Sequence, residues 1–289
     1  VLFIMFSVPV GFHHQLMEPA ISPFWKYVQV ILTFMVVVPS LMTAFAMFAT
    51  FEVTGREKGA KGLFGWLKKL PWGDVRFFGP FMGMLFFIPG GAGGLINASN
   101  QMNALVHNTL FVTGHFHMTV ASTVALTFMG VLYWLVPALT NRVLTPRINR
   151  LGMWQVGIWT LGMVIMSVAM HIVGLFGAPR RTNYTTYFDN PAAQDWVPYQ
   201  VAMAVGGTIL FISLLVLVYN MILLFRAPKG TTEYVLAETS ADAHPTPPIL
   251  ERWGLWVFIL VVLVLAAYTI PFMDLLNTSG PGSKPWVTW

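Results

Sequence analysis

Six long apolar runs restrict what this chain can fold into. They cover residues 28–51, 77–96, 105–136, 153–176, 197–225 and 253–273. A helix needs roughly 20 apolar residues to cross the hydrocarbon core of a bilayer, and every run reaches that length. Only 9% of the residues are charged, against about 25% in soluble domains. The sequence therefore predicts an all-α, polytopic transmembrane helix bundle with six complete spans, forming a single integral-membrane domain over residues 1–289.

The first ten residues form a shorter apolar run. About ten residues cannot cross a bilayer, and this run lacks the initiator Met or basic flank of a signal peptide. We expect residues 1–10 to be the end of a truncated seventh helix. The chain is then the C-terminal part of a longer polypeptide or one piece of a split subunit. Residues 11–27, which include two adjacent histidines, are expected to form an outer loop.

The basic residues are distributed unevenly between the loops. Residues 56–76, 140–150 and 226–252 contain 12 of the 16 Lys and Arg residues. Because cytoplasmic loops are enriched in these residues, the three loops are predicted to be cytoplasmic. Residues 229–250 are polar, contain three prolines and are predicted to be a cytoplasmic linker within the domain. The formal charge of +5 then reflects membrane orientation, and no nucleic-acid partner is expected.

The chain contains no Cys. This excludes disulfides, Cys-ligated metals, iron–sulfur clusters and covalent haem attachment through Cys within the chain. Any metal must therefore be held by His, Met, Tyr or carboxylate side chains.

His115 and His117 lie one residue apart in the third apolar run. A helix turns about 100° per residue, so the two rings project roughly 200° apart and cannot easily share one metal. Each could be a core histidine that is hydrogen-bonded to a neighbouring helix. Two buried rings on opposite faces, however, are better explained by axial ligation of two haems, one on each side of the helix. His171 is interpreted as a core residue.

His13 and His14 form a second histidine cluster. Adjacent histidines diverge on a regular helix, but at a helix end or in a loop both can converge on one ion. The pair could be incidental at a surface. Its position between an apolar helix end and the next span favours a metal, with a third ligand from sequence outside this chain.

Further polar residues suit haem binding and proton transfer. Arg180 and Arg181 could snorkel to lipid headgroups or pair with haem propionates, and His107 could donate to a propionate or cap a helix end. Hydroxyl side chains recur along one side of the first complete span, at Thr33, Ser40, Thr43 and Thr50. They could bond to carbonyls of their own helix or form a proton path. The run PGGAGG at residues 89–94 favours close helix packing.

Five segments resemble subunit I of the haem-copper oxygen reductases. In chain order they are PVGFHHQ, VPSLMTAF, FIPGGAGG, VHNTLFVTGHFHMTVAS and GAPRR. The sequence is similar to the B-type branch of cytochrome c oxidases, which carries a b-type and an a-type haem. GHFH with an upstream HH is highly specific in a membrane protein, and the resemblance covers almost the whole chain.

The resemblance implies particular metal ligands. His13 and His14 would be two of the three imidazoles on the active-site copper. His115 would be the proximal ligand of the high-spin, a-type haem that binds oxygen. His117 would be one of two axial ligands of the low-spin haem b. The first copper histidine, the Tyr that the family crosslinks to a copper histidine, and the second low-spin ligand would lie in the upstream half of subunit I.

The same resemblance implies roles for polar residues near these ligands. Arg180 and Arg181 would pair with haem propionates, with His107 beside those of the oxygen-binding haem. Ser40 and Thr43 match hydroxyls of the proton-uptake channel, and Thr33 lies near it.

One position departs from the family pattern. Relatives can carry Asp four residues before the position of His107, where this chain has Asn103. An amide cannot take up a proton as a carboxylate can, so a proton-loading role passes to His107 and a propionate.

The implied function is that of a terminal respiratory oxidase in a bacterial or archaeal plasma membrane, with its cofactors near the outer face. It would reduce O2 to water with electrons from cytochrome c and translocate protons across the lipid bilayer. Because this chain has no Cys, a dicopper centre would belong to subunit II.

Two alternatives follow from the same residues. A related nitric oxide reductase would hold a non-haem iron, for which Glu18 is the only nearby acid. A non-catalytic di-haem electron carrier would hold two low-spin haems and would not bind carbon monoxide.

Overall fold

The computed structural model describes residues 1–182, 187–230 and 245–278. In chain order the α-helices are α1 Leu2–Ser7, α2 Pro23–Met35, α3 Val37–Glu57, α4 Val75–Ala98, α5 Asn100–Val106, α6 Leu110–Met118, α7 Ala125–Thr140, α8 Pro146–Leu175, α9 Ala192–Phe225 and α10 Trp253–Asn277. Within the described ranges, extended pairing is limited to isolated bridges. Residues 231–244 of the predicted linker lie outside these ranges.

Six helical stretches are long and apolar enough to cross a membrane. They are Pro23–Glu57, Val75–Ala98, Leu110–Thr140, Pro146–Leu175, Ala192–Phe225 and Trp253–Asn277. Each corresponds to one of the six apolar runs of the sequence. The predicted all-α transmembrane architecture is therefore confirmed.

The chain forms two compact units. The first unit comprises Val1–Thr50, Leu95–Ala104 and Leu236–Trp289, and the second comprises Phe51–Gly94 and Leu105–Val235. Three boundaries fall within helices: one after Thr50 in α3, one after Gly94 in α4 and one after Ala104 in α5.

In the first unit, a proline divides the first span. The sequence predicts one continuous helix over residues 28–51, but α2 ends at Met35 and α3 begins at Val37. Pro39 has no N–H to donate to the carbonyl of Met35, and its ring crowds that carbonyl. Upstream, residues Val8–Gln15 form a 3₁₀ segment that includes both adjacent histidines. The predicted loop 11–27 thus contains the end of this segment and, from Pro23, the first turn of α2.

In the second unit, α8 and α9 cross at two glycines. A Cβ on Gly162 would lie 2.9 Å from the carbonyl oxygen of Gly206, so the two backbones meet directly. Small residues allow this close approach in membranes, where dispersion contacts replace hydrophobic exclusion. The two helices are long, with 30 residues in α8 and 34 in α9.

A buried polar network also joins helices of the second unit. Gln155 on α8 donates to Ser213 Oγ on α9 at 3.2 Å, and Ser213 Oγ donates back to the Gln155 carbonyl at 2.7 Å. Asn220 on α9 donates to the Tyr133 hydroxyl on α7 at 3.0 Å. All four side chains are fully buried. Polar groups in a membrane interior need such internal partners, and these fix the register of the three helices.

Candidate functional site

Both histidines of α6 are anchored through Nδ1. His115 Nδ1 donates to the carbonyl of Gly90 on α4, and His117 Nδ1 donates to the carbonyl of Thr113 on its own helix, both at 2.8 Å. Carbonyl oxygens only accept hydrogen bonds, so each Nδ1 carries the ring proton and each Nε2 carries the lone pair. Metal-binding histidines characteristically have their other nitrogen held in this way. Both rings therefore fit axial ligation of a haem iron.

The glycine run of α4 leaves space for the His115 ring. A Cβ on Gly94 would lie 3.0 Å from His115 Cε1, and one on Gly93 would lie 3.4 Å from His115 Nδ1. A side chain at either position would press on the imidazole. The predicted role of residues 89–94 in close helix packing is confirmed. Gly93 and Gly94 also leave room for the His115 ring, and Gly90 provides its hydrogen-bond acceptor.

A π-helix follows His117 directly, over Thr119–Val124. Ser122 Oγ donates to the carbonyl of His117 at 2.8 Å, and the Trp159 indole on α8 donates to the carbonyl of Ala121 at 2.9 Å. Segments of π-helix often occur at functional sites, because the extra residue redirects neighbouring side chains. Here Trp159 fixes the π-helix, and through it the backbone that carries His117.

His171 is a hydrogen-bonded core residue, as the sequence suggested. Its Nδ1 donates to the carbonyl of Ser167 one turn earlier on α8, at 2.8 Å. Its ring packs edge-on against Phe111, with centroids 4.8 Å apart, and Gly114 leaves room for it on α6.

In the first unit, His13 and His14 converge. Their Nε2 atoms lie 2.8 Å apart, and His13 Nδ1 lies 3.2 Å from Thr33 Oγ1. Since Thr33 Oγ1 donates its proton to the Gln29 carbonyl at 2.7 Å, it accepts from His13 Nδ1–H. Imidazole nitrogens lie about 2.0–2.1 Å from a bound divalent metal. Two that bind one copper ion at the right angles of a square-planar site are therefore about 2.9 Å apart. The pair therefore fits two ligands of one ion.

Tyr268 on α10 holds the segment that carries this pair. Its hydroxyl accepts from the Gly11 N–H and donates to the Val8 carbonyl at 2.8 Å. A Cβ on Gly11 would collide with that hydroxyl, so only glycine fits this position. The Phe12 ring packs edge-on against the Tyr268 ring, with centroids 5.1 Å apart.

Within residues 1–182, 187–230 and 245–278, no three His, Asp or Glu side chains cluster as a metal site. In these ranges His13 and His14 therefore stand as a pair, without a third such side chain beside them. The Glu18 carboxylate accepts from the backbone N–H of Ala20 at 3.3 Å, which stabilises a local turn.

Arg180 lies beside the beginning of α6. Its N–H donates to the Asn108 carbonyl at 2.9 Å, and its guanidinium donates to Asn108 Oδ1 at 3.1 Å. Among the described residues, no carboxylate forms an ion pair with Arg180 or Arg181. Two uncompensated guanidiniums next to α6 suit the carboxylates of haem propionates.

The positive charge of Arg180 acts on His107. Burial lowers the pKa of His107, and the positive charge of Arg180 lowers it further. A histidine with a lowered pKa is neutral at pH 7 and keeps one N–H that can donate to an anion. His107 thus adds a neutral donor to the cationic surface around Arg180.

The Asn103 side chain makes one hydrogen bond within the described chain. Its Nδ2 donates to the Asn97 carbonyl at 2.7 Å, whereas its buried Oδ1 has no partner within the described chain. Asn97 and Asn100, three residues apart along the chain, also have buried side-chain atoms without partners.

The hydroxyls of the predicted proton path bond to their own helices. Ser40 Oγ donates to the Val36 carbonyl and Thr43 Oγ1 to the Pro39 carbonyl, both at 2.9 Å. Thr33 departs from this pattern because its oxygen also contacts His13. Each hydroxyl keeps lone pairs that can accept from water.

The structure brings the predicted residues together within each unit. In the first unit these are His13, His14 and Thr33, and in the second they are His107 and Arg180. Sequence reasoning missed Tyr268, Asn108 and Trp159. Only Asn108 carried a local signal, as an Asn two residues before α6. Its φ is 57°, a backbone conformation in which Asn is favoured.

The fold is that of a helical membrane protein. Its histidines are arranged to ligate metals on two segments, Val8–Gln15 and α6. The family model for "Cytochrome C and Quinol oxidase polypeptide I" matches residues 1–209. The chain belongs to this family.

Similar proteins support this assignment. Cytochrome c oxidase subunit 1 of Thermus thermophilus is 41% identical over 295 residues, which cover 100% of this chain and 52% of that protein. Quinol oxidase subunit 1 of Bacillus subtilis is 32% identical, over 63% of this chain and 26% of that protein. The cryo-EM structure of a heme-copper terminal oxidase dimer matches with a TM-score of 0.86 and 32% identity, covering 99% of this chain and 51% of that chain. The chain therefore spans about half the length of the first relative and of the solved chain.

Proposed function

We propose that the chain is part of the catalytic subunit of a terminal respiratory oxidase of the B-type branch of cytochrome c oxidases. With the upstream half of subunit I and with subunit II, it reduces O2 to water and translocates protons across a bacterial or archaeal plasma membrane. One observation carries the proposal: in a chain of this family, His115 and His117 on one helix both have Nδ1 engaged by a carbonyl and the lone pair on Nε2.

The histidines would hold three metal centres. His115 holds the high-spin, a-type haem, His117 holds the low-spin haem b, and His13 and His14 hold the active-site copper. When bound, these groups supply the redox chemistry for O2 reduction. The chain fixes the orientation of the ligands: Gly90 and the π-helix hold α6, and Thr33 and Tyr268 hold the histidine pair.

Charged side chains would neutralise the haem propionates. Arg180 and Arg181 supply positive charge, and His107 supplies an N–H donor. Because Asn103 cannot be protonated as a carboxylate can, the proton-loading role on the outer side would pass to His107.

Protons would enter along the hydroxyls of the first span. Ser40 and Thr43 can each release the hydrogen bond to their own helix and donate to a neighbouring water instead. Thr33 lies against His13, which places a hydroxyl next to a copper ligand.

Cytochrome c is favoured over a quinol as the electron donor. The Thermus relative named cytochrome c oxidase subunit 1 is 41% identical across the whole chain, whereas the Bacillus relative named quinol oxidase subunit 1 is 32% identical across 63% of it. A dicopper entry site would be held by subunit II, since this chain has no Cys.

The ligand assignment is tested in the intact complex by reduced-minus-oxidised spectra with and without carbon monoxide. His115→Ala is expected to abolish carbon monoxide binding while the low-spin haem signal remains. His117→Ala is expected to remove the low-spin signal while carbon monoxide still binds, because each variant removes the ligand of one iron only.

His171→Gln is the matched control, because His171 makes the same Nδ1 hydrogen bond as His117, but its ring packs against Phe111 and Gly114. It should retain both haem signals. Retention of both signals in either α6 variant would exclude the assignment. Two low-spin haems and no carbon monoxide binding in the unaltered complex would instead indicate a di-haem electron carrier.

A further inference from the structure

The segment that joins α3 to α4 folds back against α3. This segment, residues 58–72, is called the α3–α4 loop. A Cβ on Gly55, two residues before the end of α3, would lie 2.6 Å from Cβ of Trp66. The Ala60 N–H donates to the Gly55 carbonyl at 3.1 Å. Trp66 is therefore level with the last turn of α3, not beyond it.

The other end of the loop lies alongside α4. The Trp72 ring packs edge-on against Phe77 and Phe81, with centroids 5.4 Å and 4.8 Å away. Phe81 is six residues into α4, which corresponds to about 9 Å along the helix axis. The Trp72 indole also donates to the Leu67 carbonyl at 2.6 Å. The loop therefore lies at the depth of the helix ends, where membrane proteins place tryptophan.

The outward surface of the loop combines positive charge with two large apolar side chains. Leu63 is 72% exposed and Phe64 is 66% exposed. Both lie on the loop itself, outside the membrane-crossing helices. The residues from 58 to 72 include no Asp or Glu. Four lysines on the loop are exposed: Lys58, Lys61, Lys68 and Lys69.

Acidic residues near the loop leave its charge in place. Glu52 pairs with Arg56, and Asp74 pairs with Arg76, each at 2.5 Å. In the described part of the chain, no ion pair involves a lysine of the loop. Glu57 adjoins the loop and adds one negative charge. With four lysines against it, the net charge of this surface is still positive.

We propose that the α3–α4 loop is a docking surface for anionic phospholipids. Both ends of the loop are tethered to membrane-crossing helices, and Trp66 and Trp72 hold it at the depth of the helix ends. Leu63 and Phe64 enter the boundary between headgroups and acyl chains, while the four lysines contact phosphate groups. A lysine near an anionic surface strengthens binding about fivefold, equivalent to about 1 kcal/mol. The lipid surface is the partner that matches both the charge and the exposed apolar side chains.

The proposal can be tested with a probe on the loop. Ala60→Cys introduces the sole thiol of this chain and is labelled with a fluorophore in the intact complex. The unsubstituted complex, treated with the same fluorophore, gives the background from cysteines of the other subunits. The complex is reconstituted in mixed vesicles that contain either phosphatidylglycerol or phosphatidylcholine with a nitroxide near the glycerol. Phosphatidylglycerol is expected to quench at least fivefold more effectively, since even one lysine enriches it by that factor. Raising the salt concentration should reduce the difference, because salt screens these charges.

Two variants separate the charge from the apolar contact. Replacing Lys58, Lys61, Lys68 and Lys69 with Ser is expected to bring the two quenching constants together. Leu63→Ser with Phe64→Ser is expected to reduce quenching by both lipids, because the loop no longer enters the membrane. Arg147→Ser with Arg150→Ser, which removes two exposed charges from the beginning of α8, should leave both constants unchanged. Unaltered haem spectra establish that each variant is folded.

Three results would overturn the proposal. The first is equal quenching by the two lipids in the unaltered loop. The second is a loss of selectivity in the Arg147 and Arg150 variant that matches the loss in the lysine variant. The third is a fluorophore that neither lipid quenches, which would show that a polar partner such as an acidic protein segment covers the loop.

Discussion

At the scale of single residues, Tyr268 illustrates how the ligands are positioned. Its hydroxyl both accepts from Gly11 and donates to Val8, so one side chain joins two points of the 3₁₀ segment. His13 and His14 follow Gly11 within the same segment. Tyr268 is therefore a positioning residue for the proposed copper ligands, although it does not touch the metal.

Tyr268→Phe is expected to weaken copper binding about tenfold. Loss of hydrogen bonds to the ligands themselves commonly costs 10–100-fold in affinity, and the bonds of Tyr268 reach the segment that carries the ligands, so the low end of this range applies. The ring that packs against Phe12 is kept, so only the two hydrogen bonds are removed. Copper content during dialysis against a graded chelator measures the effect in the intact complex. The infrared band of carbon monoxide photolysed onto copper should also broaden.

Tyr219→Phe is the matched control, because Tyr219 is 47% exposed on α9. It should retain the copper affinity and the narrow band of the unaltered complex. Equal copper affinity in the Tyr268 variant and the unaltered complex would show that Tyr268 does not position the ligands.

The sequence identified the histidines but not the residues that hold them. His115 and His117 stand out because polar rings are rare in apolar runs, and their positions 115 and 117 place them on one helix. Tyr268 and Gly11 are separated by 257 residues, so no local pattern connects them. In the sequence, Trp159 looks like any other aromatic residue of an apolar run. Only the structure shows that its indole donates to the carbonyl of Ala121. Contacts between distant segments depend on tertiary packing, which periodicity does not encode.

At the scale of helices, two irregular features interrupt the spans. The break at Val36 follows from Pro39, which is visible in the sequence. Proline lacks the backbone N–H that would bond to the preceding turn, and this explains the break. The π-helix Thr119–Val124 contains no proline or glycine, so no residue type predicts it. Its hydrogen bonds from Ser122 and Trp159 explain it only after the structure is known.

Trp159→Phe is expected to change the orientation of the His117 ring. Without the indole N–H, the Ala121 carbonyl loses its donor from α8, and the π-helix after His117 loses its fixed position. The g-values of the low-spin haem in electron paramagnetic resonance spectra report the orientation of its axial imidazoles. They should shift, while carbon monoxide binding at the other haem is maintained.

Trp154→Phe tests whether any tryptophan of α8 has this effect. Trp154 lies on the same helix but is 65% exposed, so its loss should leave the g-values unchanged. A low-spin spectrum in the Trp159 variant that is identical to that of the unaltered complex would contradict a positioning role.

At the scale of the whole molecule, the apolar runs predicted all six spans. The prediction succeeded because each run is at least as long as a bilayer requires and is bounded by loops with Gly, Pro or charge. The two compact units were not predicted. Their boundaries cut through α3 and near the end of α4, and a helix that continues across a boundary shows no change in composition there.

Metal content distinguishes the oxidase from the nitric oxide reductase. His13→Asn with His14→Asn is expected to remove one copper per chain from the intact complex while both haem irons remain. Elemental analysis per haem provides the measurement. Loss of one iron, with the copper content unchanged, would instead identify a non-haem iron at this position and favour the reductase.

The length of α9 has a consequence for how the protein is seated in the bilayer. Its 34 residues correspond to a rod of about 51 Å. Inclined at about 40°, near the limit for membrane helices, such a rod still rises about 39 Å, more than the roughly 30 Å of hydrocarbon. At least one tip of α9 therefore reaches the headgroup layer or the water beyond. The position of α9 along the membrane normal is therefore determined by what its protruding end binds. A thinner membrane would expose more of the helix.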